Sequence, residues 1–420
     1  MRPLKSPKRW ISATDATKGS IFVNDKQYRS TVDVNGARAI ISRYMLPVEL
    51  EKAGIINAFA RTLAQDIVTE TAVPAHNVAA TAGYAVIASD TSNATRESPK
   101  SLSVLSASSP ATKRLESGTT MHVNEGDLLP DGANATIAAA DSYRPDQGPE
   151  VLVFVETESG ANVISAGSRS PAGVVNVKQG TAIGAVEMGI IASLGIHGVP
   201  VRRKPKIAVI TTGAKVVDIV EKIKPGESRN AARYALVGML LNSGCDLGRL
   251  IHVHSGRPGL ERALTACSGC DAIIVAIGSA DKHDIALDAL TNMGKRGFDR
   301  VQIEPGGICA FGIVCDTPVF ITQADYTLEA FEAVIRPGLM MLLGREVLDR
   351  PLIKASLDST LKLNPGYAHF LRAHIDLKSG QNLAKPLPTH SADVNSIIVI
   401  EQNRELIKRG ENVDAIILTN

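Results

Sequence analysis

Apolar residues recur at helical spacing between Val34 and Asp66. Ala37, Ile40 and Ile41 form one stripe, and Ile55, Ile56, Phe59 and Leu63 form another after Pro47 breaks the pattern. Two helices are predicted there. Residues 88–160 lose that period: polar clusters such as SDTSNATRESPKS separate short β-like runs such as VLVFVET, so a small β-rich module is expected between helical parts. From Gly180 to Gly195 the run AIGAVEMGIIASLG is apolar on nearly every side and stops at a glycine, as a helix does.

Strand-like and helix-like segments then alternate from 205 to 343. KIAVITTG leads to ARYALVGMLLNSG, LGRLIHVH to GLERALTAC, and DAIIVAIG to IALDALTNMG, with a last helix over 327–343. This alternation predicts a parallel sheet covered by helices on both faces. Beyond 345, the runs LIKASL, FLRAHID, SIIVIE and DAIILT lie between turn clusters and predict a small β-barrel or sandwich.

Composition narrows the function. At 420 residues the chain has room for two to four domains. A net charge of +2 gives no global steering towards polyanions, and aromatic residues at 4% are too few for a base-stacking surface, so no nucleic acid is expected as partner. Neither a signal-peptide core nor a membrane-length apolar run occurs, and five scattered cysteines suit a reducing compartment, so no membrane partner and a cytoplasmic location are expected. Cys267 and Cys270 form a CxxC that, with Cys309 and Cys315, is either a zinc set or ordinary packing where a helix meets a strand. The first segment, rich in Arg and Lys, carries the only tryptophan, Trp10; it reads as a basic tail or as a docking arm for a protein partner.

Ligands of an open parallel sheet bind beyond the carboxyl ends of its strands, where loops enter helix N-termini. Three loops qualify: Thr211-Thr212-Gly213, Gly278-Ser279-Ala280-Asp281-Lys282-His283-Asp284 and Glu304-Pro305-Gly306-Gly307. Free backbone N–H groups and the helix dipole are expected to hold an anionic group there. Asp281 to Asp284 reads either as a metal or acid–base cluster or as an exposed polar helix start capped by Asp284.

The order of these segments resembles the molybdopterin molybdenumtransferases of the MoeA type, which include the C-terminal domain of gephyrin. AFARTLAQDIV with VPAHNVAATAGYAVIASDT is similar to that family's helix and DNSAMDGYAVRAADT segment, and EGDLLPDGANATI to TGAPLPPGADAVV. GIIASLGIHGVPVRRKPKIAVITTG, IEPGGICAFG and PVFITQADYTLEAFEAVIRPGL resemble further segments in the same order, so the likeness runs from about Val34 to the chain's end. It implies an α/β multidomain protein. A basic tail over 1–33 precedes a helical N-terminal dimerisation domain, 34–87 with 161–204, which carries an inserted β-rich domain over 88–160. A Rossmann-like, MoaB/MogA-type parallel-sheet domain that binds molybdopterin follows over 205–345, and a C-terminal β-barrel domain over 346–420.

The resemblance also implies a homodimer, supported by the apolar runs ARAIISRYM and IINAFARTLAQDI, and a reaction that replaces the nucleotide of adenylylated molybdopterin by molybdate with Mg²⁺. Carboxylates for the metal and lysines for the anions are what such chemistry needs. Two of the family's acids are here Ala82 and Ala214, and its DxN has become Asn230-Ala231-Ala232; Lys215 stands for the Glu after the acid at 214, and a GED triplet reads Gly167-Ser168-Arg169. Glu125 replaces a threonine, Glu304 and Gly307 replace two lysines, and Gln323 to Leu328 replace PGNPVS. A Lys-to-Glu change turns an attraction of about 4 kcal/mol, for charges ~4 Å apart at an effective dielectric of ~20, into repulsion, unless Glu304 points to solvent. The resemblance leaves Glu187, Asp281 and Asp284 as catalytic candidates. Thr211, Thr212, Gly213, Asn230, Arg233, Gly278, Ser279, Lys282, Glu304, Pro305, Gly306 and Gly307 are its ligand-binding candidates. Reduced or lost metal insertion with retained binding of a pterin- or nucleotide-like anion is expected; a working transferase and a non-catalytic scaffold are the alternatives.

Overall fold

The computed structural model describes residues 30–105, 114–145, 148–254, 256–278, 283–306, 308–376 and 382–418. Two units divide the chain: residues up to 64, 180–184 and from 198 onward form the first, while 65–179 and 185–197 form the second. In the first unit, one sheet contains strands β1 (Lys206–Thr212), β2 (Asp246–Val253), β3 (Ala272–Ile277), β4 (Gly294–Phe298), β5 (Cys309–Val314) and β6 (Thr317–Gln323). Their order is β2-β1-β3-β6-β5-β4.

The β2–β1, β1–β3 and β3–β6 pairs are parallel, whereas β5 and β4 run antiparallel to their neighbours. The sheet is therefore mixed, which corrects the all-parallel expectation. The cause is local. Cys315 and Asp316 both take positive φ, 47° and 59°, so a two-residue turn folds β5 back onto β6 as a hairpin, a feature that hydrophobic periodicity does not reveal.

Helices α1 (Ala231–Asn242), α2 (Arg257–Ala266) and α3 (His283–Met293) link the strands. Alternate residues of β1 enter opposite layers. Ile207 and Val209 pack with Leu236 and Leu240 of α1 and with Phe298, Phe311 and Phe320; Ala208 and Ile210 pack with Leu260 and Leu264 of α2 and Leu287 and Leu290 of α3. Each fully buried aliphatic or phenyl group contributes about 1.5–3 kcal/mol, so the sheet's two covered faces dominate the stability of this unit.

The first predicted helix forms over Val34–Ile41, capped by Asp33, which accepts the Gly36 amide at 2.6 Å. The second does not form. Leu50–Gly54 instead pairs as an antiparallel strand with Gly198–Arg202, and only a 3₁₀ turn, Ile55–Ala58, follows. Pairing with a distant segment overrides the local period, and Ile56 and Phe59 remain 81% and 58% exposed. The helix expected over 327–343 forms with a wide π turn at Phe331–Ile335 just ahead of Pro337. Proline lacks the N–H that would reach the Ala333 carbonyl; Arg38 Nε takes that carbonyl at 2.9 Å.

The C-terminal strands close into a barrel. Ala368–Asp376 pairs on one side with Leu383–Pro386 and on the other with Ser396–Ile400, and the ring is completed through Leu352–Leu357 and Asn412–Ile417. Ile303–Glu304 joins it in parallel, with Ile303 opposite Ala368 and Glu304 opposite His369. The second unit holds a six-stranded sheet in the order Ala135–Ala138, Gly83–Val86, Thr119–Val123, Lys100–Val104, Glu150–Val153, Ser142–Tyr143. Its apolar helix is Ala185–Ser193, and Gly195, at φ 72°, lies just beyond it. Among the described residues no helix is long and apolar enough to cross a membrane.

Candidate functional site

The chain from β1 returns to β2 through α1, and from β2 to β3 through α2 on the opposite face, so the connections diverge on either side of β1. Such a switch point opens a crevice at the carboxyl ends of β1 and β3. Thr211, Thr212 and Gly213 end β1 there and Gly278 ends β3. Both glycine amides are already used: Gly213 donates to the Val253 carbonyl and Gly278 to the Thr212 carbonyl, each at 3.1 Å. The expectation of free amides at these two positions is corrected, because closing the turns consumes them. Gly278 is required by close approach, since a Cβ there would lie 2.8 Å from the Thr212 oxygen.

The remaining donors come from α1. Asn230 is its N-cap, accepting the Arg233 amide at 3.2 Å, which leaves the Ala231 and Ala232 amides as those a helix start offers outward. Asn230 is buried and its Nδ2 donates to the Thr211 hydroxyl at 2.8 Å. Sequence patterning missed the partner of both: His252, which the parallel register places opposite Thr211. Its Nδ1 lies 3.0 Å from the Thr211 hydroxyl and 3.3 Å from Asn230 Nδ2, and its Nε2 lies 3.2 Å from the Gly213 carbonyl. Burial, with a smaller contribution from His254 beside it, pushes the His252 pKa down.

Arg233 is also committed. Its Nη1 donates to Asp218 at 2.5 Å, and Asp218 accepts the Tyr234 hydroxyl at 2.7 Å. The Tyr234 hydrogen bond is the main reason that the Asp218 carboxyl sits below the usual carboxylate range. Ala214 and Lys215 are exposed on the same loop. Asp284 is exposed in the first turn of α3. Ser279, Asp281, Lys282 and Gly307, like Trp10, lie outside the described residues.

Glu304 is partly exposed and hydrogen-bonded. Both its carboxylate oxygens accept from Asn364 Nδ2, at 2.8 and 2.9 Å, and buried His369 approaches to 3.8 Å. The Glu304-Pro305 bond is cis. Gly306, at φ 94°, lies against Tyr326, where a Cβ would come within 2.4 Å of the tyrosine Cβ. The loop Gln323 to Leu328 is clamped from the barrel: Arg372 donates to Glu329 at 2.7 and 3.0 Å, to the Asp325 carbonyl at 2.8 Å and to the Thr389 carbonyl. Glu187 occupies the first turn of the helix in the second unit and is half-buried.

Among the described residues no three His, Cys, Asp or Glu side chains converge at metal-binding distance. This covers the zinc reading of the cysteines: Cys267 and Cys309 are buried, Cys270 is half-buried and Cys315 is exposed. For Mg²⁺, which demands several oxygens in octahedral geometry, the described residues around α1 offer little: Asp218 is committed to Arg233, and alanine stands at 214 and 232.

A family model described as the MoeA N-terminal region (domain I and II) matches residues 32–195. The chain is 26% identical over 416 residues to molybdopterin molybdenumtransferase 1 of Mycobacterium tuberculosis, covering 87% of this chain and 94% of that protein. To the molybdopterin molybdenumtransferase of Bacillus subtilis it is 23% identical over 414 residues, covering 93% and 95%. A solved structure of the molybdopterin biosynthesis MoeA protein from Pyrococcus horikoshii matches with a TM-score of 0.82 at 25% identity, over 93% of this chain and all of that one.

Proposed function

Because the chain belongs to the MoeA-type molybdopterin molybdenumtransferase family, whose work is molybdenum cofactor biosynthesis, we propose that it binds a molybdopterin- or nucleotide-like anion with reduced or no metal insertion. The crevice lies in the Rossmann-like sheet domain of MoaB/MogA type, at the carboxyl ends of β1 and β3. One observation carries the reading: the start of α1, with the Ala231 and Ala232 amides just past its Asn230 cap, lies at this edge, and the described carboxylate beside it, Asp218, is occupied by Arg233 and Tyr234.

An anionic phosphate gains from the α1 dipole about 0.3–1 kcal/mol. Molybdate is a substrate in this scheme, and no step runs through Mg²⁺. The protein acts as a homodimer, with the exposed apolar residues of its first unit as the contact.

Asp284, exposed at the start of α3, favours the second reading, a working transferase using Glu187, Asp281, Asp284 and Arg233. Adenylylated molybdopterin, molybdate and Mg²⁺ added to the purified protein, with AMP release and binding followed together, separate the two. Binding with turnover far below that of an intact relative is expected. Turnover equal to such a relative overturns the proposal.

A further inference from the structure

His252 ties three pieces of the site together, and its protonation state follows from its neighbours. The Gly213 carbonyl is only an acceptor, so the Nε2 facing it at 3.2 Å carries the hydrogen and donates. On the other side, Asn230 Oδ1 is taken by the Arg233 amide, which orients its Nδ2 towards the imidazole as a donor. Nδ1 therefore accepts. One neutral tautomer satisfies every contact: Thr211 at the strand end, Gly213 in the turn, and Asn230 at the helix cap.

We propose that His252 is a positioning residue for the anion site, holding the Gly213 carbonyl and the Asn230 cap so that the α1 amides face one phosphate. This rests on the anion-binding reading above. The Gly213 carbonyl is an electron-rich group at the mouth of that site, and a peptide flip would aim it at the ligand. The Nε2 bond keeps it turned away, towards β2. Nothing else in the described turn donates to that carbonyl except the Val216 amide, at 3.2 Å. His254, whose ring meets that of His252 edge-on at 4.8 Å, has no hydrogen bond to the turn among the described residues and serves as the internal control.

The two halves of the imidazole can be replaced separately. His252→Gln places an amide donor near the position of Nε2, whereas His252→Asn keeps an acceptor near Nδ1 and loses the turn. Binding of inorganic pyrophosphate by titration calorimetry, with the melting temperature of each variant recorded alongside, tests the assignment. His252→Asn is expected to weaken pyrophosphate about tenfold, the size of one lost hydrogen bond to a site group, while His252→Gln stays within about threefold of wild type. His254→Gln leaves the affinity unchanged.

A merely structural role predicts a different pattern, in which both His252 variants melt earlier and bind alike; that result overturns the assignment. Unchanged affinity in His252→Asn overturns it as well. If the wild-type protein itself takes up no pyrophosphate, the anion-site reading fails first and this inference with it, an outcome distinct from variants that match a binding wild type.

Discussion

The Glu304 carboxylate takes a bifurcated hydrogen bond from Asn364 Nδ2, with His369 beside it. Glu304→Lys therefore first loses that contact and sets a cation by the imidazole. A destabilisation of about 1 kcal/mol in urea unfolding is expected, because the group is partly exposed, with little gain in anion affinity. A strong, salt-sensitive gain in pyrophosphate binding would show that the side chain swings into the crevice. His252 sets a pH dependence. Its folded-state pKa lies below its ordinary value of 6.5, so the unfolded chain takes the proton first, and stability is lost as pH falls below about 6.5. Melting temperature followed from pH 7.5 to 5.5 should decline more in wild type than in His252→Gln, where that titration is gone.

At the scale of elements, the barrel grips the loop of Gln323 to Leu328 through a buried pair. Glu329 is fully buried beneath Arg372, so Glu329→Ala strands a guanidinium and is expected to cost about 3–5 kcal/mol in denaturant unfolding, with Glu329→Gln costing less. Equal stability of Glu329→Ala and wild type would remove the pair from the list of stabilising contacts. Elements with a strong period were legible: α1, α2, α3, the apolar helix ending near Gly195 and the strands DAIIVAIG and KIAVITTG all stand where the pattern put them. The β5–β6 hairpin was not, because its turn uses Cys315 and Asp316 in place of the Asn-Gly or Asp-Gly pair that announces such turns. The helix expected from Ile55 to Leu63 failed because Thr62 and Leu63 bridge to Ala182 and Val201, pairing that is invisible to a local window. The candidate site was legible as loops and not as contacts: Asn230 and Thr211 are named from the sequence, whereas their contacts with His252, like those of Asp218, Asn364 and His369, come from register and long-range packing.

For the whole molecule, the exposed residues Leu46, Ile56 and Phe59, at 65%, 81% and 58%, argue for association. Light scattering at micromolar concentration is expected to give twice the 44.4 kDa chain mass, and Ile56→Asp with Phe59→Asp to give the chain mass; a monomeric wild type would contradict the homodimer. The two-residue parallel splice of Ile303–Glu304 onto the barrel strand has a consequence for detection. The Ala368 amide donates to the Gln302 carbonyl at 2.9 Å, so the barrel borrows part of its edge from the chain that leads straight into Pro305 and Gly306. Deuterium uptake at Ala368 thus reads out the state of that loop. An anion that settles the loop should slow exchange there, while the amides at the far end of the same strand, near Asp376, keep their rate.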